Sequence, residues 1–440
     1  MKNSLSRFFS DYGMILVLLL LCAFFSVVTY TEQSPTGEAA ARQVFATLEQ
    51  QPGMNHRVFL VGSDQPEDAA FISKLERDLA ASGTQILAVV RGEPKDARDG
   101  LQKLAAAGNK LDAIACSRVS GAWLVFSELK ADFPTLGEPR VITPNSYKWP
   151  NFLKPENLLN IANQIAVIAI VAIGMTMVIV TGGIDLSVGS LLALSAVLAA
   201  KFIRDAAGGV EASTAGMVLA CIAAILACGA VGGFSGAMIT RFGIPPFIVT
   251  LAMMLVGSGL AYILAQGQSI YQIPDSFIWL GRGADVFKLP NAVVLMLILY
   301  ILAHVLMSRT KLGRYLYAVG GNREAARLSG VPVERVLMFA YVASALLAGL
   351  GGVIMASQLK SGSATYGNMY ELYVIAAVVV GGTSLSGGEG RMLGTLTGAF
   401  TIAVIQNGMN LTNVESYTQK VVLGLVILGA VLLDKIRHRH

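Results

Sequence analysis

Cysteine, histidine and charged residues are scarce in this chain of 440 residues, which has four cysteines, four histidines and only 14% charged residues. Cys22, Cys221 and Cys228 lie within apolar runs, where a thiol behaves as a small hydrophobic group. Only Cys116 lies in a polar segment, so the sequence argues against a disulfide framework. The histidines and cysteines do not combine into a metal-ligand spacing, which argues against a structural metal.

Several patterns of enzymes and nucleic-acid-binding proteins are also missing. The chain has no Walker A pattern, no G-x-G-x-x-G fingerprint, and no Ser/His/Asp, Cys/His or paired-carboxylate arrangement. The formal net charge is +5, but no basic stripe with interleaved aromatic residues accompanies it. We therefore predict that the chain is not an enzyme, binds no nucleic acid and carries no cofactor of its own.

Apolar residues, in contrast, are abundant. They make up 54% of the chain, and the mean hydropathy is +0.61. The charges are concentrated between Glu32 and Glu156, a segment with 14 basic and 16 acidic side chains. The remainder has the composition of a membrane protein, so the sequence predicts one polar domain set among transmembrane segments.

The apolar run Met14–Thr31 is long enough to cross a hydrocarbon core of about 30 Å. Lys2 and Arg7 precede it, as they would in a signal peptide, but no small-x-small cleavage pattern ends the run. We therefore predict an uncleaved first helix within residues 1–31. The positive-inside rule places its N-terminus in the cytoplasm.

Residues 32–149 follow a different pattern, in which short β-rich runs alternate with amphipathic segments that end in glycine. This alternation begins at Val58 and is typical of βαβ units with a parallel sheet. It predicts a small α/β domain with a third helix at Trp123–Lys130 and a fourth strand at Arg140–Thr143. Because the domain follows one span from a cytoplasmic start, we expect it to face the periplasm.

Residues 150–440 contain nine further apolar segments. The predicted spans are Ile161–Thr181, Leu186–Phe202, Ala215–Ile239, Pro246–Ala265, Asn291–Met307, Val336–Ala356, Leu372–Gly387, Leu393–Met409 and Val421–Leu433. The short, glycine-rich Leu372–Gly387 could instead be re-entrant or broken. The predicted fold is an all-α polytopic membrane protein of about ten transmembrane helices, some of them broken or re-entrant, with a small inserted α/β domain.

The connection 309–335 has six basic and two acidic side chains, so the positive-inside rule places it in the cytoplasm. Six predicted spans precede it and four follow, which puts both chain ends on the same side. Within it, Asn322 can cap a short helix that stops near Gly330 and Pro332. A capped amphipathic helix is suited to dock into a partner's groove, but an ordinary solvated connector has the same composition.

Asp185 lies between two long apolar runs, in the sequence TGGIDLSVGS. A carboxylate near membrane depth is costly, and it is therefore a functional candidate for substrate passage. The alternative is that Asp185 caps the following helix by accepting backbone N–H groups. Both interpretations need Gly182 and Gly183 for a sharp turn.

A second glycine cluster, Gly381–Arg391, includes Thr383 and Ser384. It resembles a phosphate-binding loop in composition only, because no G-K-[ST] follows it. Its glycines suit the close packing of a broken helix. Inside the spans, a thin set of polar residues can either bind a hydroxyl-rich solute or join helices by hydrogen bonds. These residues are Thr176, Gln266, Gln358, Gln406, Asn407 and Asn410.

Six stretches share a pattern with a known family. They are PNFLKPENLLNI (Pro150–Ile161), AIGMTMVIVTGGIDLSVGSLLALS (Ala172–Ser195), TKLGRYLYAVGGNREAARLSGV (Thr310–Val331), YELYVIAAVVVGGTSLSGGEGR (Tyr370–Arg391), the GT-x-x-GA run (Gly394–Ala399) and QNGMNL (Gln406–Leu411). In this order they resemble the permease subunits of bacterial ABC importers for pentoses and related monosaccharides, such as ribose. The resemblance covers nearly all of residues 150–434.

The resemblance implies an inner-membrane, lipid-embedded subunit that pairs with a second copy of itself. It also implies cytoplasmic ABC ATPase subunits, which hydrolyse the ATP, and a periplasmic sugar-binding protein. The predicted translocation pathway includes Thr176, Asp185, Ser187, Ser190, Thr383, Ser384, Gln406, Asn407 and Asn410. The predicted ATPase-coupling residues in the loop 309–335 are Gly313, Arg314, Gly321, Asn322, Glu324, Arg327, Ser329 and Gly330.

The chain departs from the family pattern in two places. Family members usually have a basic residue where Glu389 stands, and they lack the α/β segment at residues 32–149. The position of this segment suggests that it helps to receive or replace the sugar-binding protein, or senses another ligand. Two alternative functions stay open: a permease for another polyol or furanosyl solute, and a membrane-anchored receptor that senses a ligand through the α/β segment.

Overall fold

A computed structural model of the chain describes residues 2–50 and 57–437, with the side chains of residues 13–50 and 57–432. The chain forms two compact units. One is helical and combines the first helix with the residues from Asn151 onward, and the other is Tyr30–Pro150.

The smaller unit alternates strands and helices after the first helix, α1 (Lys2–Val28). Its elements are β1 (Tyr30–Gln33), α2 (Gly37–Glu49), β2 (Arg57–Ser63), α3 (Pro66–Ala81), β3 (Gln85–Gly92), α4 (Pro94–Ala106), β4 (Ala113–Cys116), α5 (Leu129–Asp132), β5 (Arg140–Ile142) and β6 (Tyr147–Pro150).

Four strands of this unit form a parallel sheet in the order β3-β2-β4-β5. A separate antiparallel ribbon pairs β1 with β6, so that Tyr30 lies opposite Pro150 and Gln33 lies opposite Tyr147. The ribbon therefore brings the first and last residues of the unit side by side.

Both faces of the parallel sheet are covered, which explains the continuous apolar runs of its strands. Buried residues of α2 and α3, such as Val44 and Phe71, pack on one face with Leu60. Leu101 of α4 and Phe126 of the connection between β4 and β5 pack on the other face. The unit thus has a hydrophobic core on each side of its sheet.

The predicted helix Trp123–Lys130 is wrong. Instead, 3₁₀ turns occupy Ser120–Ala122 and Leu124–Phe126, and the α-helical turn between β4 and β5 is the four-residue α5. Trp123 has an extended backbone between the two 3₁₀ turns, and its ring stacks on Phe126 with the centroids 6.4 Å apart. Both rings pack in the core that contains Leu101 of α4, so tertiary packing overrides the helical pattern of the segment.

The helical unit continues from Pro155 to Arg437. Its helices are α6 (Pro155–Val180), α7 (Val188–Asp205), α8 (Thr214–Arg241), α9 (Pro246–Ala265), α10 (Trp279–Arg282), α11 (Asn291–Arg309), α12 (Lys311–Gly321), α13 (Arg323–Leu328), α14 (Val333–Leu359), α15 (Tyr370–Val380), α16 (Met392–Leu411) and α17 (Ser416–Arg437).

Five helices among the described residues are long and apolar enough to cross a membrane: α6, α8, α9, α11 and α14. Shorter apolar helical segments are Gly13–Val28 within α1, Tyr370–Val380 and Ser416–Leu432 within α17. The protein is therefore polytopic and helical.

The predicted span Leu372–Gly387 is wrong as a continuous helix. Its helix, α15, ends at Val380 after 11 residues, which at 1.5 Å per residue reaches only about 16 Å. Gly382 then takes a left-handed conformation with φ +87°, and the chain turns back toward α16. The glycines after Val380 end the helix, so the segment is broken rather than continuous.

Helix α14 lies at the centre of the unit and packs against α6, α7 and α8. Small residues allow these close approaches. A Cβ atom on Gly352 would lie 2.2 Å from the carbonyl oxygen of Leu192 in α7, and one on Gly174 of α6 would lie 2.5 Å from the Cα atom of Ser344 in α14. Close backbone packing fixes the positions of α6, α7 and α14, between which Asp185 lies.

Candidate functional site

Asp185 lies in the turn between α6 and α7 and is only 2% exposed. Its Oδ1 accepts hydrogen bonds from the backbone N–H of Ser187 at 3.0 Å and from Ser187 Oγ at 2.6 Å. Its Oδ2 accepts one from Ser344 Oγ of α14 at 2.8 Å. Among the described residues no lysine or arginine pairs with this carboxylate. Its hydrogen-bond donors are two serine hydroxyls and one backbone N–H group.

The local sequence explains this turn. Gly182 has φ +79°, a left-handed conformation that ends α6, and Ser187 stands immediately before α7. The Asp185 carboxylate therefore accepts the N–H of Ser187, the residue before α7, and holds the turn that leads into this helix rather than capping its first turn. Its bond to Ser344 adds an interhelical contact that a simple cap would not need.

Other hydroxyl groups surround this turn. Ser190 Oγ donates to the carbonyl oxygen of Ser187 at 2.8 Å, and Thr250 Oγ1 of α9 donates to that of Ile184 at 3.2 Å. The buried hydroxyl of Tyr341 has no hydrogen-bond partner among the described residues. Asp185, Ser187 and Ser190 are thus brought together in one buried polar cluster.

Thr176 and Thr383 do not join this cluster through hydrogen bonds. Thr176 Oγ1 lies 2.8 Å from Thr395 Oγ1 of α16, an interhelical bond that favours a packing role. Thr383 Oγ1 is buried and has no partner among the described residues. Ser384 Oγ accepts the backbone N–H of Ser386 at 3.3 Å and so shapes its own loop.

The predicted amides near the end of α16 are engaged with neighbouring helices. Asn407 and Asn157 of α6 exchange two side-chain hydrogen bonds, at 2.8 Å and 3.1 Å. Asn410 is exposed, and its Oδ1 accepts from Gln419 Nε2 of α17 at 2.8 Å. Gln406 is half-buried. Within the described part of the chain, no hydrogen bond connects these amides to Asp185.

Three glycine-containing segments meet at one point, which we call the glycine junction: Thr181–Gly183, Gly320–Gly321 and Gly387–Gly388. The backbone N–H of Gly388 donates to the carbonyl oxygen of Val180 at 2.8 Å. A Cβ atom on Gly320 would lie only 1.7 Å from that same oxygen. The junction therefore joins the end of α6, the end of α12 and the loop after α15 through their backbones.

The predicted coupling loop consists of two helices. In α12, Gly313 is buried, and its N–H donates to Thr310 Oγ1 at 3.1 Å. The sequence prediction of a capped short helix is confirmed, because Asn322 Oδ1 accepts the N–H of Ala325 at 2.9 Å at the start of α13. Gly330, with φ +81°, follows the end of that helix.

Helix α13 presents most of its side chains to solvent. Only Ala326 is buried, and Leu328 is 87% exposed. All the predicted coupling residues except the buried Gly313 are exposed. These exposed residues are Arg314, Gly321, Asn322, Glu324, Arg327, Ser329 and Gly330.

Glu371 is a further candidate that was not among the predicted pathway residues. It stands in the first turn of α15 and is half-buried, and a Cβ atom on Gly189 of α7 would lie 2.4 Å from its Oε2. The available signal was the one used for Asp185: a lone carboxylate beside a long apolar run. Both acidic residues thus lie close to the start of α7.

Among the described residues, no group of three or more His, Cys, Asp or Glu side chains is placed to hold a metal ion. The polar cluster around Asp185 consists of one carboxylate and several hydroxyl groups. Its hydroxyl groups can both donate and accept.

Comparison with known proteins identifies the family. A family model described as "Branched-chain amino acid transport system / permease component" matches residues 157–431. The ribose import permease protein of Escherichia coli (strain K12) is 44% identical over 290 residues, which cover 65% of this chain and 87% of that protein. The α/β unit Tyr30–Pro150 lies outside the family match.

Other relatives carry similar names. The ribose import permease protein of Bacillus subtilis (strain 168) is 44% identical over 65% of this chain and 87% of its own length. The D-allose transport system permease protein of Escherichia coli (strain K12) is 34% identical, with 65% of this chain and 85% of the relative covered. No solved structure matches the chain significantly. The chain therefore belongs to this family of transport permeases and is a multi-pass protein of the inner membrane.

Proposed function

We propose that the chain is the membrane-spanning permease of an ATP-driven importer for ribose or a closely similar monosaccharide. The two ribose import permeases described above are 44% identical to this chain, and the alignment covers 87% of the length of each. The observation that carries the coupling part of the proposal is the exposed, capped helix α13, which α12 connects to the glycine junction.

The proposed topology has ten spans. The N-terminus, the loop 309–335 and the C-terminal end lie in the cytoplasm, and the unit Tyr30–Pro150 lies in the periplasm. The excess of basic residues in the loop 309–335 supports this orientation. Helix α15 and the glycine-containing loop after it then form a broken span, which suits an 11-residue helix followed by glycines.

The proposed pathway passes the buried polar cluster of Asp185, Ser187 and Ser190 and the nearby carboxylate of Glu371. Hydroxyl and carboxylate groups can exchange hydrogen bonds with the hydroxyls of a sugar as it loses water. Thr383, Ser384, Gln406, Asn407 and Asn410 remain pathway candidates. Thr176 and Asn407 have the weaker case, because their side chains already join helices.

We further propose that two copies of the chain assemble with two cytoplasmic ATPase subunits and a periplasmic sugar-binding protein. ATP is bound and hydrolysed by the partner subunits, and this chain holds no cofactor. Closure of the ATPases moves α13. Because α12 and the turn of α6 share the glycine junction, that movement reaches the segment that carries Asp185.

Charge neutralisation on α13 tests the coupling role. The double variant Glu324→Gln/Arg327→Gln keeps polar side chains at both positions but removes both charges from an exposed helix. We expect ribose uptake into cells to fall at least tenfold, while the amount of permease in the membrane stays the same. Co-purification of the ATPase should fall in parallel.

The matched control is Glu334→Gln/Arg335→Gln, which neutralises two exposed charges at the start of α14. It should keep both uptake and ATPase recovery. Wild-type uptake in the α13 variant would refute the assignment of α13 as the coupling helix.

A further inference from the structure

The strand order of the α/β unit creates a crevice that the transport function does not use. From β2, the chain first moves to β3 on one side of the sheet and then crosses to β4 on the other side. The order therefore reverses between β2 and β4, and the connections that leave the carboxyl ends of these two paired strands cover opposite faces of the sheet. In open α/β sheets, ligands bind in the crevice at such a switch point.

A buried carboxylate organises both sides of this switch point. Asp68 of α3 is only 5% exposed, and its Oδ2 accepts hydrogen bonds from the N–H of Ser63 at 2.7 Å, from Ser63 Oγ at 2.6 Å and from Ser117 Oγ at 2.7 Å. Ser63 ends β2, and Ser117 directly follows β4. Ser120 Oγ also donates to the carbonyl oxygen of Val61 at 2.9 Å. These bonds fix the two loops that border the crevice.

The residues that follow these two serines are exposed and oppositely charged. Asp64 comes after Ser63, and Arg118 comes after Ser117. Within the described part of the chain neither side chain forms an ion pair or a hydrogen bond with another residue. A carboxylate and a guanidinium thus stand on opposite borders of the switch point, available to a ligand.

A third loop approaches the same edge. A Cβ atom on Gly121 would lie 2.2 Å from Cγ2 of Thr143, which directly follows β5. Glycine at position 121 therefore allows the loop after β4 to approach the loop after β5. The half-buried Thr143 adds a hydroxyl group to this edge of the sheet.

The chemistry of this edge favours a neutral ligand with several hydroxyl groups. The loop after β2 reads VGSD and lacks the glycine-rich pattern that binds phosphates. Burial raises the pKa of the Cys116 thiol, so this last residue of β4 stays neutral and adds no charge. The exposed carboxylate of Asp64 and the exposed guanidinium of Arg118 cancel in charge, and they can accept from and donate to the hydroxyls of a ligand. The carboxylate of Asp68 is buried and already accepts three hydrogen bonds.

We propose that the α/β unit binds a monosaccharide in this crevice, with Asp64 and Arg118 as its polar contacts and Ser63 and Ser117 held in place by Asp68. The choice of a monosaccharide rests on the proposed transport function. A site tethered to the permease keeps its ligand at a high effective concentration near the pathway. The unit then acts as a built-in solute-binding module.

The test measures binding of radiolabelled D-ribose to the full-length chain in nanodiscs, without binding protein or ATPase. Asp64→Asn and Arg118→Gln each remove one crevice charge. Asp99→Asn and Arg42→Gln are matched controls on α4 and α2, where both residues are exposed. We expect saturable binding by the wild type and both controls, and at least tenfold weaker binding by each crevice variant.

Equal binding by all variants, or no saturable binding of D-ribose, D-allose or L-arabinose by the wild type, would overturn the proposal. The proposal would also be overturned if the crevice variants bound the sugar-binding protein more weakly but bound ribose as tightly as the wild type. Ribose uptake by the assembled transporter is measured in parallel. Normal uptake without binding in the crevice refutes this inference alone, whereas absent uptake refutes the proposed cargo.

Discussion

At the scale of single residues, Asp185 shows how one carboxylate can serve both structure and transport. Its two oxygens accept three hydrogen bonds, from the N–H and Oγ of Ser187 and from Ser344 Oγ. A buried donor that loses its acceptor costs roughly 1–3 kcal/mol. The structural contribution of Asp185 therefore depends on its oxygen atoms, whereas a contribution to solute passage depends on its charge.

Two substitutions at Asp185 separate these contributions. Asp185→Ala removes the acceptor of all three bonds, so we expect a lower melting temperature in detergent and less protein in the membrane. Asp185→Asn keeps an acceptor for the Ser187 N–H, so we expect nearly normal amounts but reduced ribose uptake. Ser344→Ala is the control for the interhelical bond alone. Full ribose uptake by Asp185→Asn would mean that Asp185 has only a structural role in the turn.

Glu371 gives a second prediction at this scale. Glu371→Gln keeps the side-chain size but loses the charge that strengthens a hydrogen bond to a sugar hydroxyl. Since hydrogen bonds to charged groups contribute roughly 1.5–3 kcal/mol, we expect uptake to fall about tenfold or more at unchanged membrane amounts. Glu415→Gln, at an exposed position before α17, is the matched control. Equal uptake by both variants would exclude Glu371 from the pathway.

At the scale of elements, apolar runs and terminal residues located several helices well. The predicted segment Pro246–Ala265 coincides with α9, and Asn322 caps α13 as expected. At Leu372–Gly387 the continuous span was wrong, and the broken helix that its glycines indicated is what forms. The prediction failed at Trp123–Lys130, where the packing of Phe126 with Leu101 interrupts a helical pattern. That interruption depends on a partner distant in sequence, which a local pattern does not contain.

The glycine junction is another feature that local patterns could not predict. Two of its segments belong to the glycine clusters that the sequence analysis singled out, but nothing in either cluster indicates that they meet each other and Gly320. The same holds for the candidate site, where Ser344 lies 159 residues from Asp185. Residue types indicated the candidates, and only the tertiary structure identifies their partners.

Steric exclusion at the junction can be tested with one methyl group. Gly320→Ala would place its Cβ 1.7 Å from the carbonyl oxygen of Val180, so α12 and α6 must separate. We expect ribose uptake to fall at least tenfold, with a lower melting temperature. Gly259→Ala in α9 is the control, because nothing lies within 4 Å of its Cβ position. A fully active Gly320→Ala permease would show that contact at the junction is not needed.

At the scale of the whole molecule, the chain combines a permease core that its relatives share with an α/β unit outside the family match. The unit has hydrophobic cores of its own on both faces of its sheet. Its first and last strands pair, so that Gln33 lies opposite Tyr147. The unit can therefore be removed at this ribbon without stretching the remaining chain.

Replacing residues 34–146 by Asn-Gly would join Gln33 to Tyr147 through a two-residue turn and close β1 and β6 into a hairpin, because Asn-Gly favours the turn type that matches strand twist. We expect the shortened permease to reach the membrane in normal amounts, since the helical core is separate. If the α/β unit captures sugar for the pathway, ribose uptake should show a raised KM and an unchanged maximal rate. Transport assays over a wide ribose range, with the wild type alongside, measure both quantities. Identical kinetics in the two proteins would mean that the unit takes no part in import.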